Sequence, residues 1–115
     1  MAIQDVAEGL VSLCREGKFD EASETYYSND IVSIEPQGDP REVRGMDAIR
    51  GKIEWWNTTF ELKNPQVDGP WINEPYFAVK FVIDATVRKT GETTTMSEIA
   101  IYKVENDKIV EERFF

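Results

Sequence analysis

Ile31-Val32-Ser33-Ile34-Glu35-Pro36-Gln37-Gly38-Asp39-Pro40, followed by Gly45-Met46-Asp47-Ala48-Ile49-Arg50 and running on to Ile53, is the stretch from which the rest of the chain can be read. The run Ile31 to Ile34 is mostly β-branched and has strand character. Pro36 cannot donate to a strand ladder and holds Glu35 extended, so the strand stops with a carboxylate at its lip. A turn rich in Pro and Gly follows, and Asp47 favours the start of a helix. A strand end beside a helix start is a good address for a pocket, which makes Glu35 the first candidate functional group.

On the N-terminal side, Ile3, Val6, Leu10 and Leu13 recur at helical spacing with Cys14 beside them, and Gly17 suits a C-terminal cap. Asp20 and Glu21 sit in the first turn of a second, shorter helix with Phe19, Ala22 and Tyr26 inward, ended by Asn29 and Asp30. The third helix buries Ile49, Ile53, Trp56 and Phe60, and Gly51 weakens it by roughly 1 kcal/mol relative to Ala. Beyond Glu61 the period becomes alternating, and Pro65, Gly69-Pro70, Asn73 with Pro75 and Thr90-Gly91 punctuate the remainder into strands. The clearest is 76–88, with Phe77, Val79, Phe81, Ile83, Ala85 and Val87 on one face. In 93–104, Ile99 and Ile101 lie opposite Met96, Ala100, Tyr102 and Val104, as in a central strand covered on two sides, by helices and by a second subunit. Asn106-Asp107 turns into a closing strand, 108–115. Three early helices and three or four long antiparallel strands give an α+β architecture, one domain over 1–115.

The composition removes whole classes of function. There is no His among the 115 residues, so an imidazole-relayed triad, a His metal site and a His proton shuttle are all excluded. Proton transfer falls to Asp, Glu, Tyr, Lys or Cys. A net charge of −9 repels phosphate backbones and anionic lipid, so neither nucleic acid nor membrane is an expected partner. A single Cys14 forms no internal disulfide, the N-terminus lacks a basic-then-apolar signal, and a cytoplasmic protein is expected. No metal-loop or phosphate-loop spacing occurs, and no cofactor is expected.

Glu35 reads either as a pocket acid or base or as a strand-end carboxylate in water. Glu98 reads either as a second acid or as a buried carboxylate paired with Lys or Arg. Tyr26, Tyr27 and Tyr102 can donate to a bound carbonyl, Tyr102 being best placed, or satisfy their hydroxyls structurally. Trp55, Trp56 and Trp71 can line a cavity; the helical spacing of Trp56 reads rather as core, leaving Trp55 and Trp71 the freer candidates. Leu10, Phe81 and Ile83 complete the expected apolar lining. Lys80, Asp84 and Arg88 read as a solvated or dimer-facing ladder.

The order of elements, with Arg15-Glu16-Gly17-Lys18-Phe19-Asp20, Tyr27-Ser28-Asn29-Asp30, Glu35-Pro36-Gln37-Gly38, Gly45 to Arg50 and Tyr102 to Val110, resembles the nuclear transport factor 2 superfamily over nearly the whole chain. That superfamily holds ketosteroid isomerase and the SnoaL-like polyketide cyclases, and the closer resemblance is to SnoaL-like proteins of unassigned activity. The resemblance implies a cone-shaped curved antiparallel sheet with three helices on its concave face. It also implies that Glu35 stands where ketosteroid isomerase has an Asp before Pro as general base. The isomerase's oxyanion donors, a first-helix Tyr and a late-strand Asp, fall near Leu10 and Ala100 here; Glu98, one dyad from Ala100, replaces the latter only with a register change. The resulting expectation is a homodimer whose cavity binds a small hydrophobic or carbonyl-containing molecule, with cofactor-free proton transfer of isomerase, cyclase or dehydratase type. A non-catalytic ligand-binding or assembly module, and a scaffold for a partner protein, are the alternatives.

Overall fold

The computed structural model describes residues 3–115. In chain order the elements are α1 (Ile3–Arg15), α2 (Phe19–Tyr26), β1 (Tyr27–Ile34), β2 (Glu42–Arg44), α3 (Met46–Thr59), β3 (Phe60–Asn73), β4 (Tyr76–Val87), β5 (Thr93–Glu105) and β6 (Lys108–Phe114). The six strands form one open curved sheet in the order β2-β1-β6-β5-β4-β3, with the helices on its inner face. All neighbours are antiparallel except β1 and β6, which run parallel, so the sheet is mixed rather than wholly antiparallel as expected. The first and last strands are joined through the rest of the domain, which permits parallel pairing without a tight turn. Among the described residues no helix is long and apolar enough to cross a membrane.

Two boundaries differ from the sequence reading for local reasons. Residues 27–30 are already strand, not the end of α2: Tyr27 is extended at φ −81° and ψ 141°, and its N–H closes the last helical turn on the Ser23 carbonyl. Residues 60–73 form one continuous strand rather than several pieces. Pro65 and Pro70 fall at two breaks in its pairing with β4, between Lys63 and Gln66 and between Asp68 and Trp71. Such breaks at a sheet border are where proline is tolerated, because no ladder N–H is required there. Gly69, at φ +116° with the Ala78 carbonyl only 3.0 Å from a would-be Cβ, makes the second break sterically possible.

The core lies between α1 and the sheet. Val6, Ala7, Leu10, Val11 and Cys14 form the buried stripe of α1, and they meet Ile31, Phe77, Val79, Ala100 and Ile109 from four strands. Each large side chain fully removed from water contributes about 1.5–3 kcal/mol. Arg15 fixes α1 on β3 by donating to the Val67 carbonyl at 3.0 Å and the Gly69 carbonyl at 3.4 Å. Tyr26 crosses α1 at Gly9, where any Cβ would collide with its hydroxyl. On α3, Met46 and Ile49 are buried, whereas Ile53 and Trp56 are only half-buried; Phe60, expected on the same helical face, is extended and opens β3, also half-buried. Ile53 and Trp56 are incompletely covered because part of what they face is a hollow.

Candidate functional site

Strand register decides which polar groups enter that hollow. Ser33 pairs with Glu112 across β1 and β6, Glu112 with Tyr102 across β6 and β5, and Tyr102 with Phe77 across β5 and β4. These four therefore form one transverse row on the inner face. Two residues along β5, Ala100 pairs with Phe114, and two further along, Glu98 pairs with Phe81. Glu98 thus reaches the interior in regular register, without the shift that the sequence reading required.

The hollow has a volume of about 160 Å³ and is bounded by α1, α2, α3 and the sheet. Leu10, Phe19, Ile53, Trp56, Phe81, Ile83, Met96 and Phe114 give it an apolar wall, and its titratable polar residues are Glu35, Lys52, Glu98, Glu112, Tyr27 and Tyr102, with Ser23 and Asn57 beside them. Of the candidates from sequence, Glu35, Glu98, Tyr102, Leu10, Tyr27, Trp56, Phe81 and Ile83 all lie on this one space. Trp55 and Trp71 do not. They are 55% and 56% exposed, the reverse of the expectation that they were the freer cavity candidates and Trp56 the core residue. Trp55 projects from the outer side of α3 and packs edge-on against Trp56 and Phe60, while Trp71 pairs with Ala78 on the outer face of the sheet. On the strand face read as solvated or dimer-facing, Lys80 and Arg88 are exposed, Asp84 accepts from Asn64 and Thr95, and Arg88 donates to the Asn57 carbonyl.

Glu35 is held at the strand end by its own backbone. Its N–H donates to the Arg41 carbonyl at 2.8 Å, and the Arg41 guanidinium donates back to the Glu35 carbonyl at 3.1 Å. Its carboxylate meets Lys52 Nζ of α3 at 2.5 Å. The same ammonium donates to Ser33 Oγ at 2.7 Å, stands 3.7 Å from Glu112 Oε2 and lies 4.6 Å from the centre of the Phe114 ring. Glu112 is buried and receives Ser33 Oγ at 2.6 Å and the Tyr27 hydroxyl on its other oxygen. A continuous polar chain thus runs Glu35, Lys52, Ser33, Glu112, Tyr27.

Electrostatics follow from this geometry. The Glu98 side chain makes no hydrogen bond or ion pair among the described residues, in contrast to the Lys or Arg partner that one reading gave it. Burial first, and then the charge of Glu35, push its carboxyl up to about 7, against a smaller opposing pull from Lys52. Burial and the nearby Glu112 hold Tyr27 and Tyr102 well above the ordinary phenol range, so both remain donors at neutral pH. Burial pushes the Cys14 thiol up to about 12, which leaves it a poor nucleophile. Among the described residues no three metal-ligating side chains come together as a metal site.

Lys52, Ser33 and Glu112 were not singled out from the sequence. Lys52 carried a usable signal, since it falls between Ile49, Ile53 and Trp56 on the inward helical stripe. Ser33 lies at a strand position two residues from buried Ile31. Glu112 carried none, because an irregularity between β5 and β6 puts buried Ile109 and Glu112 three residues apart instead of two.

Comparison with known proteins agrees with this architecture. A family model described as a SnoaL-like domain matches residues 1–115. A SnoaL-like polyketide cyclase candidate from Mesorhizobium loti is 38% identical, with a TM-score of 0.94 over 100% of this chain and 99% of the other. An NTF2-like protein of unknown function from Burkholderia pseudomallei superposes with a TM-score of 0.80 at 14% identity, covering 97% and 88% of the two chains. An isomerase candidate from Bacillus subtilis gives 0.73 at 19% identity, covering 99% and 88%. The last two likenesses are of fold alone. Comparison with curated proteins gives no significant match.

Proposed function

We propose, from the premise that this chain belongs to the SnoaL-like domain family, that it binds a small carbonyl compound in the hollow and moves a proton on it with Glu35. The observation that carries this reading is the pairing of two unlike carboxyl groups on one apolar space. Glu35 is ion-paired to Lys52 at the rim, and Glu98 is unpartnered and titrates near neutrality. Two acids whose surroundings differ in this way suit a base and a donor. Glu35 would take the proton from the carbon beside the carbonyl. Protonated Glu98 would hydrogen-bond the oxygen as it gains charge, and Glu35 would return the proton at the same or a conjugated carbon. An isomerase, cyclase or dehydratase step uses this same first transfer. The volume favours a guest of about one ring, since a cavity of about 150 Å³ accommodates a benzene-sized molecule.

The test is proton exchange. In D₂O, wild-type protein should accelerate deuterium uptake at the α-carbon of cyclohexanone or 2-cyclohexenone, followed by NMR, and Glu35→Gln should lower that rate about 100-fold or more while binding persists. Equal rates for wild type and Glu35→Gln would overturn the role of Glu35. A cytoplasmic setting fits this reading, given a lone thiol that is buried and inert.

The second reading, a dimeric assembly module, is favoured by the outer face of the sheet. Trp71 pairs with Ala78 and Ala78 with Ile101, and beside this row Ile99 exchanges backbone hydrogen bonds with Phe115. Ile99 and Phe115 are 44% and 64% exposed. Such a stripe suits a second copy of the chain, which sedimentation of wild type and Ile99→Glu would test.

A further inference from the structure

The charges around the hollow are unequal. Its lining includes three carboxyl groups, Glu35, Glu98 and Glu112, against one basic residue, Lys52. That ammonium is committed to the protein itself: it touches the Glu35 carboxylate at 2.5 Å and Ser33 Oγ at 2.7 Å, faces Glu112 at 3.7 Å and rests against the Phe114 ring. A ligand carboxylate reaching for Lys52 would have to displace one of two glutamates and would meet the other. Tyr27 is already spent on Glu112. We infer that the cavity selects its guest by charge: the molecule it takes is uncharged or cationic, and a ring-sized anion is rejected.

The inference rests on the reading that the hollow is a binding site, and it adds the class of molecule. The protein carries its own test anion in Glu98, whose ionised form burial and Glu35 already disfavour more than Lys52 rescues it. A guest carboxylate placed beside Glu98 meets the same balance. The net charge of −9 acts in the same direction at longer range by lowering the local concentration of anions. The aromatic wall formed by Phe19, Trp56, Phe81 and Phe114 suits an apolar ring and accepts a cation on its faces.

Benzamide, benzylamine and benzoate form a matched one-ring series that differs in charge. Binding is measured at pH 8 by titration calorimetry, with tryptophan fluorescence from Trp56 as a second signal. Benzamide and benzylamine should each bind at least tenfold tighter than benzoate. Glu98→Gln should narrow the gap between benzamide and benzoate to threefold or less. Lowering the pH to 5.5 on wild type should narrow it in the same direction, because Glu98 becomes neutral while benzoate stays ionised. The pH arm needs no variant to fold, and the other titratable groups facing the guest, Glu35, Glu112, Lys52, Cys14, Tyr27 and Tyr102, are common to all three titrations. Benzoate binding as tightly as benzamide at pH 8 would overturn the charge inference and leave the binding reading standing. Failure of all three probes to bind would overturn both.

Discussion

Replacing Glu98 with Gln should make the protein more stable in alkali and leave it nearly unchanged in acid. The side chain keeps its size, so the perturbation is the removal of one ionisable proton from the wall of the hollow. Below pH 4.5 the carboxyl is protonated whether the chain is folded or unfolded. Between 4.5 and about 7 the unfolded chain releases the proton first, so wild-type stability falls through this window and stays reduced above it. A displacement of this size corresponds to about 3 kcal/mol. Glu98 is half-buried and water reaches the hollow, which reduces the expected effect to about 1–2 kcal/mol. Urea denaturation followed by tryptophan fluorescence, run on both proteins at pH 5 and pH 8, measures it directly. The Glu98→Gln advantage should grow by about 1–2 kcal/mol between the two pH values. A difference that does not change with pH, or that shrinks on going to pH 8, would refute the placement of Glu98 in a desolvated, negatively biased site.

Lys52→Met leaves Glu35 and Glu112 without their shared cation and should cost about 2–4 kcal/mol by denaturant midpoint. It should also raise the pH at which Glu98 titrates, read by carbon-detected NMR of its carboxyl. Phe77→Ala removes a fully buried ring stacked 4.8 Å from Tyr102 and should cost about 3–5 kcal/mol in the same unfolding assay. Gly69→Ala forces a Cβ onto the Ala78 carbonyl at positive φ and should destabilise by more than about 1 kcal/mol, whereas Gly51→Ala, on an open helix face, should stabilise by up to about 1 kcal/mol. Leu10→Ala should enlarge the hollow and shift preference from one-ring toward larger carbonyl guests, measured by comparing cyclohexanone and 1-tetralone binding.

The elements were legible wherever one physical signal dominated. The 3.6-residue stripe of Val6, Leu10 and Cys14 and the alternation from Phe77 to Ala85 each state their own buried face, and Pro36 after Ile34-Glu35 states where β1 stops. The site was half legible. Glu35, Glu98 and Tyr102 could be named because they are polar residues at inward strand positions or strand ends, but which tryptophan enters the hollow could not. Trp55 and Trp56 are adjacent on one helix, and a rotation of about 100° per residue separates them; only the packing of α3 against β1 and β3 decides between them. Glu112 stayed hidden because its partners, Tyr27 and Ser33, come from the other end of the chain through a parallel pairing that no local pattern announces.

The two ends of the sheet bear on how copies of this protein can meet. At one border lies β2, only three residues long; at the other lies β3, interrupted at two prolines and with two of its carbonyl oxygens already taken by Arg15. Neither margin offers a straight, unoccupied template onto which another molecule could add a strand. A second copy meeting this one through the broad outer face, as proposed above, would therefore find no sheet border on which to extend the pair into ribbons or fibrils.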